Sequence, residues 1–132
     1  MAERSVSARW DGGLRALVDA GGFPLVVDEP ATVAGGTGTG PQPTEYLLAA
    51  VASCFTLALA HSAGKRGVEL APDLRVVATG TYDGPRFSAI RISVSTSAPR
   101  GDDLERLIAA AERVCYVTRT LANSPELSVV VE

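Results

Sequence analysis

The sequence is short of the residues that build metal centres and of the charge that grips nucleic acid. It has one histidine and two cysteines, and the cysteines lie far apart with no Cys-x-x-Cys spacing. A zinc site, which needs about four such ligands brought together, is therefore not expected, and no metal or other cofactor is. Positive charge is also scarce. Twelve basic residues face fifteen acidic ones, the net charge is −3 and the pI about 5.1. "GKRG" at residues 64–67 is too short to matter as a basic run, so nucleic acid is a poor partner. The opening "MAERSVSARWDGG" has no apolar core of the kind a secretory signal needs. A cytoplasmic location is expected by default. In a reducing compartment, two cysteines read as thiols or a transient redox pair rather than a structural staple.

What is present is an ordinary globular composition, 46% hydrophobic and 20% charged, which argues against disorder. A chain of 132 residues is expected to form one domain, residues 1–132, burying roughly two thirds of its unfolded surface. The most apolar segment is "EYLLAAVASCFTLALAHS", residues 45–62, with Cys54 in its middle. Residues 46–64 carry no charge, which is nearly a membrane-spanning length. Ala49, Ala50, Ala52, Ser53, Thr56, Ala58, Ala60 and Ser62 keep that stretch small and only mildly hydrophobic. A helix apolar on every side also suits the centre of a domain or dimer, and no membrane partner is expected.

The pattern along the chain is α+β. Residues 5–10 alternate as a strand, Asp11-Gly12-Gly13 turns, residues 14–20 run back, and residues 23–30 form a third extended piece. Residues 31–43 are too rich in Gly, Thr and Pro to be regular. A long helix is predicted from Pro43 or Thr44 to Lys65-Arg66, with Glu45 at its positive end and Gly67 as its stop. Residues 74–83 and 87–98 read as two strands, the second turning Ile90, Ile92 and Val94 to one face. Residues 102–115 form an amphipathic helix, capped by Asp102, with Leu104, Leu107, Ile108 and Ala111 on its apolar face. The tail "ELSVVVE" reads as a last strand. Strands in series, rather than alternating with helices, imply largely antiparallel pairing.

Three features invite a functional reading. The loop "GGTGTG" lacks the GxGxxG spacing and a following Lys-Ser/Thr, and its two prolines remove N–H groups that a phosphate cradle needs. Nucleotide binding is rejected. Cys54 and His61 share a helix face but stand about 10 Å apart along the axis, which excludes a direct hydrogen bond within one chain. His61 then reads as a helix-end packing residue. Cys54 and Cys115 each admit two readings, an inert core residue or a reactive thiol.

The run "GTGPQPTEYLLAAVASCFTLAL" resembles the signature of the OsmC/Ohr family of thiol-dependent peroxide-reducing proteins, in the OsmC-like branch. It has Gly-Pro-x-Pro-x-Glu, then Leu-Leu-Ala-Ala, then a cysteine on the central helix. "FPLVVDEP" upstream, and "AAAERVCYVTRTL" with "ELSVVVE" downstream, follow the family's order. The resemblance implies an OsmC-like fold, antiparallel sheets around a long central helix in an intertwined homodimer. It implies that Cys54 is the peroxidatic thiolate and Cys115 the resolving thiol, joined by a disulfide after Cys54 is oxidised to a sulfenic acid. A cation must lower the Cys54 pKa, and the family's arginine from the N-terminal strands matches Arg15 best, with Arg9 next. The glutamate that holds this arginine in the organic-hydroperoxide branch lies ten positions before the cysteine. Thr44 occupies that position here and Glu45 lies nine before Cys54, a spacing similar to another OsmC-like branch. Glu45 reads equally as a carboxylate favourable at a helix start. The second motif departs as well, with Tyr116 in place of a proline and Arg119 in place of an asparagine.

The implied function is reduction of organic hydroperoxides, favoured over hydrogen peroxide by the apolar Phe55, Leu57 and Leu59 around Cys54. The implied reductant is a dihydrolipoyl protein or a small thiol. The rival reading is a non-catalytic OsmC-like dimer that binds a small ligand or partner, with Cys54 structural. A cysteine hydrolase is disfavoured, because the one histidine is badly spaced and no third orienting group is evident.

Overall fold

The computed structural model describes residues 2–132. The chain divides into two compact units, one reaching Leu47 and the other running Leu48–Glu132, with the boundary inside its long helix.

The N-terminal unit is an antiparallel meander of β1 (Ser7–Trp10), β2 (Ala16–Ala20) and β3 (Phe23–Val27). Trp10 pairs with Ala16 across the first turn, and Ala20 with Phe23 across the second. At the first turn Trp10 donates its indole N–H to the Gly13 carbonyl at 3.0 Å. The loop that follows is organised by one carboxylate. Asp28, 1% exposed, accepts from the N–H groups of Glu29, Thr37 and Thr39 and from both threonine hydroxyls. Five donors satisfy the buried charge and fold the Gly/Thr-rich segment around it, so this loop is ordered, though irregular. Tyr46 closes the unit by donating its hydroxyl to the Val26 carbonyl at 2.7 Å.

The helix α1 runs Pro43–Arg66, the bounds the sequence predicts. Gly67 stops it at φ +64°, in the left-handed region that glycine enters without steric cost. Hydroxyls inside the apolar stretch are satisfied within the helix, Thr56 donating to the Ala52 carbonyl at 2.7 Å and Ser53 to the Ala50 carbonyl at 3.4 Å. The helix is long and apolar enough to cross a membrane, but in this fold Val51, Phe55, Ala58, Leu59, Ser62 and Ala63 form a buried face.

That face belongs to the C-terminal unit. There β4 (Arg75–Asp83) and β5 (Arg86–Ser95) form an antiparallel hairpin with Val76 opposite Val94 and Ala78 opposite Ile92. At a register shift between Thr81 and Tyr82, the rings of Tyr82 and Phe87 meet with centres 4.7 Å apart and planes tilted by 40°. Helices α2 (Gly101–Val114) and α3 (Tyr116–Ala122) follow. The core joins Phe55, Ala58, Leu59, Ala63, Leu107, Ala111 and Cys115, with Val76, Ile92, Val94 and Ile108 packed against it.

Three expectations need correction. Arg100, with no side-chain cap, precedes α2, and Asp102 lies in the first turn, where a carboxylate still favours the positive helix end. Residues 116–122 form a short third helix that the strand-and-helix pattern did not anticipate. The tail is not a strand, since among the described residues no element pairs with it, and Leu127, Val129, Val130 and Val131 are between 80% and 98% exposed.

Candidate active site

Cys54 sits midway along α1, one residue before the buried Phe55 and therefore at the edge of the buried face. It is half-buried and packs against the core cluster that contains Cys115. On its outer side it helps to line a groove of about 470 Å³ with Leu57, Ala58, His61, Arg113, Val114 and Tyr116. A thiol placed so is reachable by a small molecule, and Leu57, Ala58 and Val114 make the approach apolar.

Cys115 is placed by a break between helices. It ends α2, its N–H donating to Ala111 at 2.9 Å, and it begins α3, its carbonyl accepting from Arg119 at 3.1 Å. Its own backbone is extended, at φ −78° and ψ 105°. The junction turns the sulfur into the core, where the residue has no exposure. Both cysteines are free thiols.

Burial alone pushes the Cys115 thiol up. The Thr118 hydroxyl, the N–H groups of Thr118 and Val117, and the Cys54 thiol outweigh it and hold Cys115 below its ordinary pKa. The side chain makes no conventional cap hydrogen bond to α3, so these N–H groups act mainly as nearby dipoles that favour a negative sulfur.

Arg15 and Glu45 both belong to the N-terminal unit. Arg15 Nε lies 3.1 Å from Asp11 Oδ2, but its N–H is not aimed at that oxygen. Its side chain also lines an open cleft of about 630 Å³ with Trp10, Leu14, Val27, Glu29 and Val33. Arg9 reaches Asp11 only at 3.9 Å and is largely exposed. Glu45 accepts from the N–H of Gln42 at 3.0 Å, the local role of a carboxylate at a helix start. Within this chain Arg15 is thus paired with Asp11, and no ion pair joins Arg15 to Glu45 among the described residues.

Sequence reasoning did not single out Thr118 or Arg113. The signal for Thr118 was its place three residues after Cys115, where a side chain one helical turn along reaches back to the cap residue. Arg113 belongs with Cys54 only through tertiary packing, which no spacing reveals. Among the described residues, no three potential metal-ligating side chains converge.

Comparison with known proteins follows the same lines. The family model described as OsmC-like protein matches residues 36–130. No curated protein matches the sequence. Among solved structures, an OsmC-like protein from Mycoplasma pneumoniae superimposes with a TM-score of 0.78 at 17% identity, covering 93% of this chain and 89% of that one. An organic hydroperoxide resistance protein OsmC from Legionella pneumophila gives 0.66 at 19% identity, covering 93% and 91%. The organic hydroperoxide resistance protein OhrB of Bacillus subtilis gives 0.59 at 25% identity, covering 92% and 93%.

Proposed function

We propose that this chain, which belongs to the OsmC-like protein family, is a thiol-dependent peroxidase that reduces organic hydroperoxides. The observation that carries the reading is the Cys54–Cys115 arrangement, an accessible thiol in an apolar groove with a second thiol in the core behind it. Two relatives of the same fold are named as organic hydroperoxide resistance proteins, which supports the assignment.

In this reading the Cys54 thiolate attacks the peroxide O–O bond, takes one oxygen as a sulfenic acid, and releases an alkoxide that becomes the alcohol. Cys115 then attacks the Cys54 sulfur and displaces the hydroxyl, which leaves as water once protonated. The result is one alcohol, one water and one disulfide. A dihydrolipoyl protein or small dithiol supplies the two electrons that reopen the disulfide. The roles of Arg15, or Arg9, and of Glu45 toward the thiolate rest on the family resemblance alone, since within this chain Arg15 is paired with Asp11 and Glu45 with the Gln42 N–H. Residues 1–132 act as one domain in this reading, and the matched family region, residues 36–130, crosses the boundary between the two compact units.

The working form is a homodimer, in the cytoplasm. The exposed face of α1 carries Ala50, Ser53, Leu57, Ala60 and Gly64, an uncharged stripe with helical spacing. The unpaired apolar tail adds a second surface that a lone soluble chain rarely leaves open.

Iodoacetamide titration of the native reduced protein tests the peroxidase reading. Cys54 should alkylate quickly near neutral pH and lose that reactivity after cumene hydroperoxide. A Cys54 that resists alkylation, with or without peroxide, leaves the non-catalytic binding protein as the better account.

A further inference from the structure

We propose that the crevice between the last turns of α1 and α2 is an oxyanion-binding site that takes a phosphate monoester, its apolar substituent lying along the groove toward Cys54. The inference stands apart from the peroxidase reading, and its test uses no peroxide.

The crevice has a volume of about 230 Å³ and lies wholly within the C-terminal unit. Ser62, Lys65 and Arg66 reach it from α1, at the three- and four-residue spacing that puts side chains on one helix face. His61 also borders it, and Arg113 comes to it from α2. No carboxylate lines it.

Taken singly, the cations have an ordinary explanation. Lys65, Arg66 and Arg113 stand in the last turns of their helices, where positive charge is favoured. Two observations go beyond that. The first is that the cations meet without a partner. None of the three joins an ion pair among the described residues. Nor do the final carbonyls of α1 depend on them, since Ala63 accepts from the Val68 N–H at 2.9 Å and Gly64 from the Gly67 N–H at 3.4 Å.

The second is Ser62. It is 4% exposed, and its hydroxyl has no hydrogen-bond partner among the described residues. Buried hydroxyls are ordinarily bonded, and in a helix the carbonyl one turn back is at hand, as Thr56 shows with Ala52. Ser62 leaves its one donor unspent, and the crevice it borders is the outlet for that donor. An unspent hydroxyl among three unpaired cations is the donor set of an oxyanion site.

Charge selects the anion. A carboxylate brings one negative charge and would leave two of the three cations facing each other uncompensated. A phosphate monoester brings nearly two charges and three strong acceptor oxygens. The planar forks of Arg66 and Arg113 match such oxygens in pairs. The outlet for the ester substituent is equally defined. His61, Arg113 and Val114 line both the crevice and the groove of about 470 Å³ that runs past Leu57 and Ala58 to Cys54. Ser62 stands eight residues along α1 from Cys54, about 12 Å at the helical rise, so a medium-length alkyl chain spans the distance.

The test is isothermal titration calorimetry of the reduced wild-type chain at fixed ionic strength, with inorganic phosphate, octyl phosphate below its micelle concentration, and octanoate. Octyl phosphate should bind at least about ten-fold more tightly than either inorganic phosphate or octanoate, the first through its buried methylenes and the second through its charge. Lys65 and Arg113 are exposed, so their variants should fold as wild type. Lys65→Gln and Arg113→Gln should each weaken octyl phosphate roughly ten-fold or more, and Ser62→Ala roughly three- to ten-fold. Arg75→Gln removes the same charge from an exposed position on β4 and should change the affinity by less than about two-fold. The proposal fails if neither phosphate binds, or if octanoate matches octyl phosphate. It fails if octyl phosphate gains nothing over inorganic phosphate, since the groove is then not the outlet. It fails equally if Arg75→Gln costs as much as Arg113→Gln, because the response would then be to net charge alone. Peroxide turnover enters none of these readings, so loss of the peroxidase reading would leave this one standing.

Discussion

Two leucines two positions apart on α1 offer a test of which helix face is the core and which is left for a second copy. Leu59 has no exposure and joins the central cluster, whereas Leu57 is 69% exposed beside Cys54. Leu59→Ala removes buried methyl groups and leaves a cavity, at a cost of about 2–5 kcal/mol. With a urea slope of about 2 kcal/mol per molar, the unfolding midpoint should fall by about 1–2.5 M. Leu57→Ala exposes nothing new in a single chain, and its cost there should stay within about 0.5 kcal/mol. In a two-fold dimer that covers this face, full burial of a leucine is worth about 1.5–3 kcal/mol, and its exposed share about 1–2. Symmetry doubles this to about 2–4 kcal/mol, so Leu57→Ala should weaken self-association roughly 30- to 1,000-fold. Urea unfolding by circular dichroism across a range of protein concentrations separates the two effects. Leu59→Ala should cost the same at every concentration, while Leu57→Ala should reduce the rise of stability with concentration. A Leu59→Ala cost under about 1 kcal/mol would refute the assigned core. A Leu57→Ala cost equal to that of Leu59→Ala at all concentrations would refute the open face.

Other outcomes follow from the same geometry. The Asp28 pKa is lowered chiefly by the Thr37 and Thr39 hydroxyls and the Thr39 N–H, against the opposing effect of burial. Its folded-state pKa lies below its unfolded one, so the stability it adds is complete above the ordinary carboxylate range and is lost as pH falls below about 4. Urea unfolding should therefore show Asp28→Asn well below wild type at neutral pH, with the gap closing in acid; a gap that widens in acid would contradict the sign. Gly40→Ala would place a Cβ 2.5 Å from the Val26 carbonyl oxygen and 2.9 Å from its carbon, and backbone must give way. It should cost about 1–3 kcal/mol. Gly64→Ala, with nothing within 4 Å of its Cβ, should instead stabilise the single chain by about 0.5–1 kcal/mol, as read from thermal unfolding at low concentration. Removing residues 126–132, which are exposed and unpaired, should leave the chain's circular dichroism nearly intact and weaken its self-association in sedimentation.

The elements most legible in the sequence were those with their own local signals. Helix α1 announced both ends, through Pro43 and Glu45 at one and Lys65, Arg66 and Gly67 at the other. The hairpin of β4 and β5 followed from alternation in which Ile90, Ile92 and Val94 share a face. Helix α3 carried no such signal. Its seven residues, with Thr118, Arg119 and Thr120 in the middle, offer only one apolar pair at helical spacing, Val117 and Leu121, too little to announce a helix, and the break at Cys115 sets them apart. The tail misled because Val129, Val130 and Val131 favour a strand, yet a strand needs a partner that this chain does not provide. In the candidate site, the resemblance pointed to Cys54 and Cys115, and the fold packs them in one unit. The surrounding groups were less readable. Arg113, His61 and Tyr116 meet at Cys54 through packing of α1 against the α2–α3 junction, and Thr118 matters only because that junction turns the Cys115 sulfur inward.

The most direct test of the central claim is intact mass under non-reducing conditions after a peroxide challenge. Reduced wild type, Cys54→Ser and Cys115→Ser would each meet cumene hydroperoxide. The account predicts loss of two hydrogens in wild type, an added oxygen or two on Cys54 in Cys115→Ser, and no disulfide in Cys54→Ser. A wild-type mass that does not change would contradict it, and Cys54 would then be a packing residue in a binding protein.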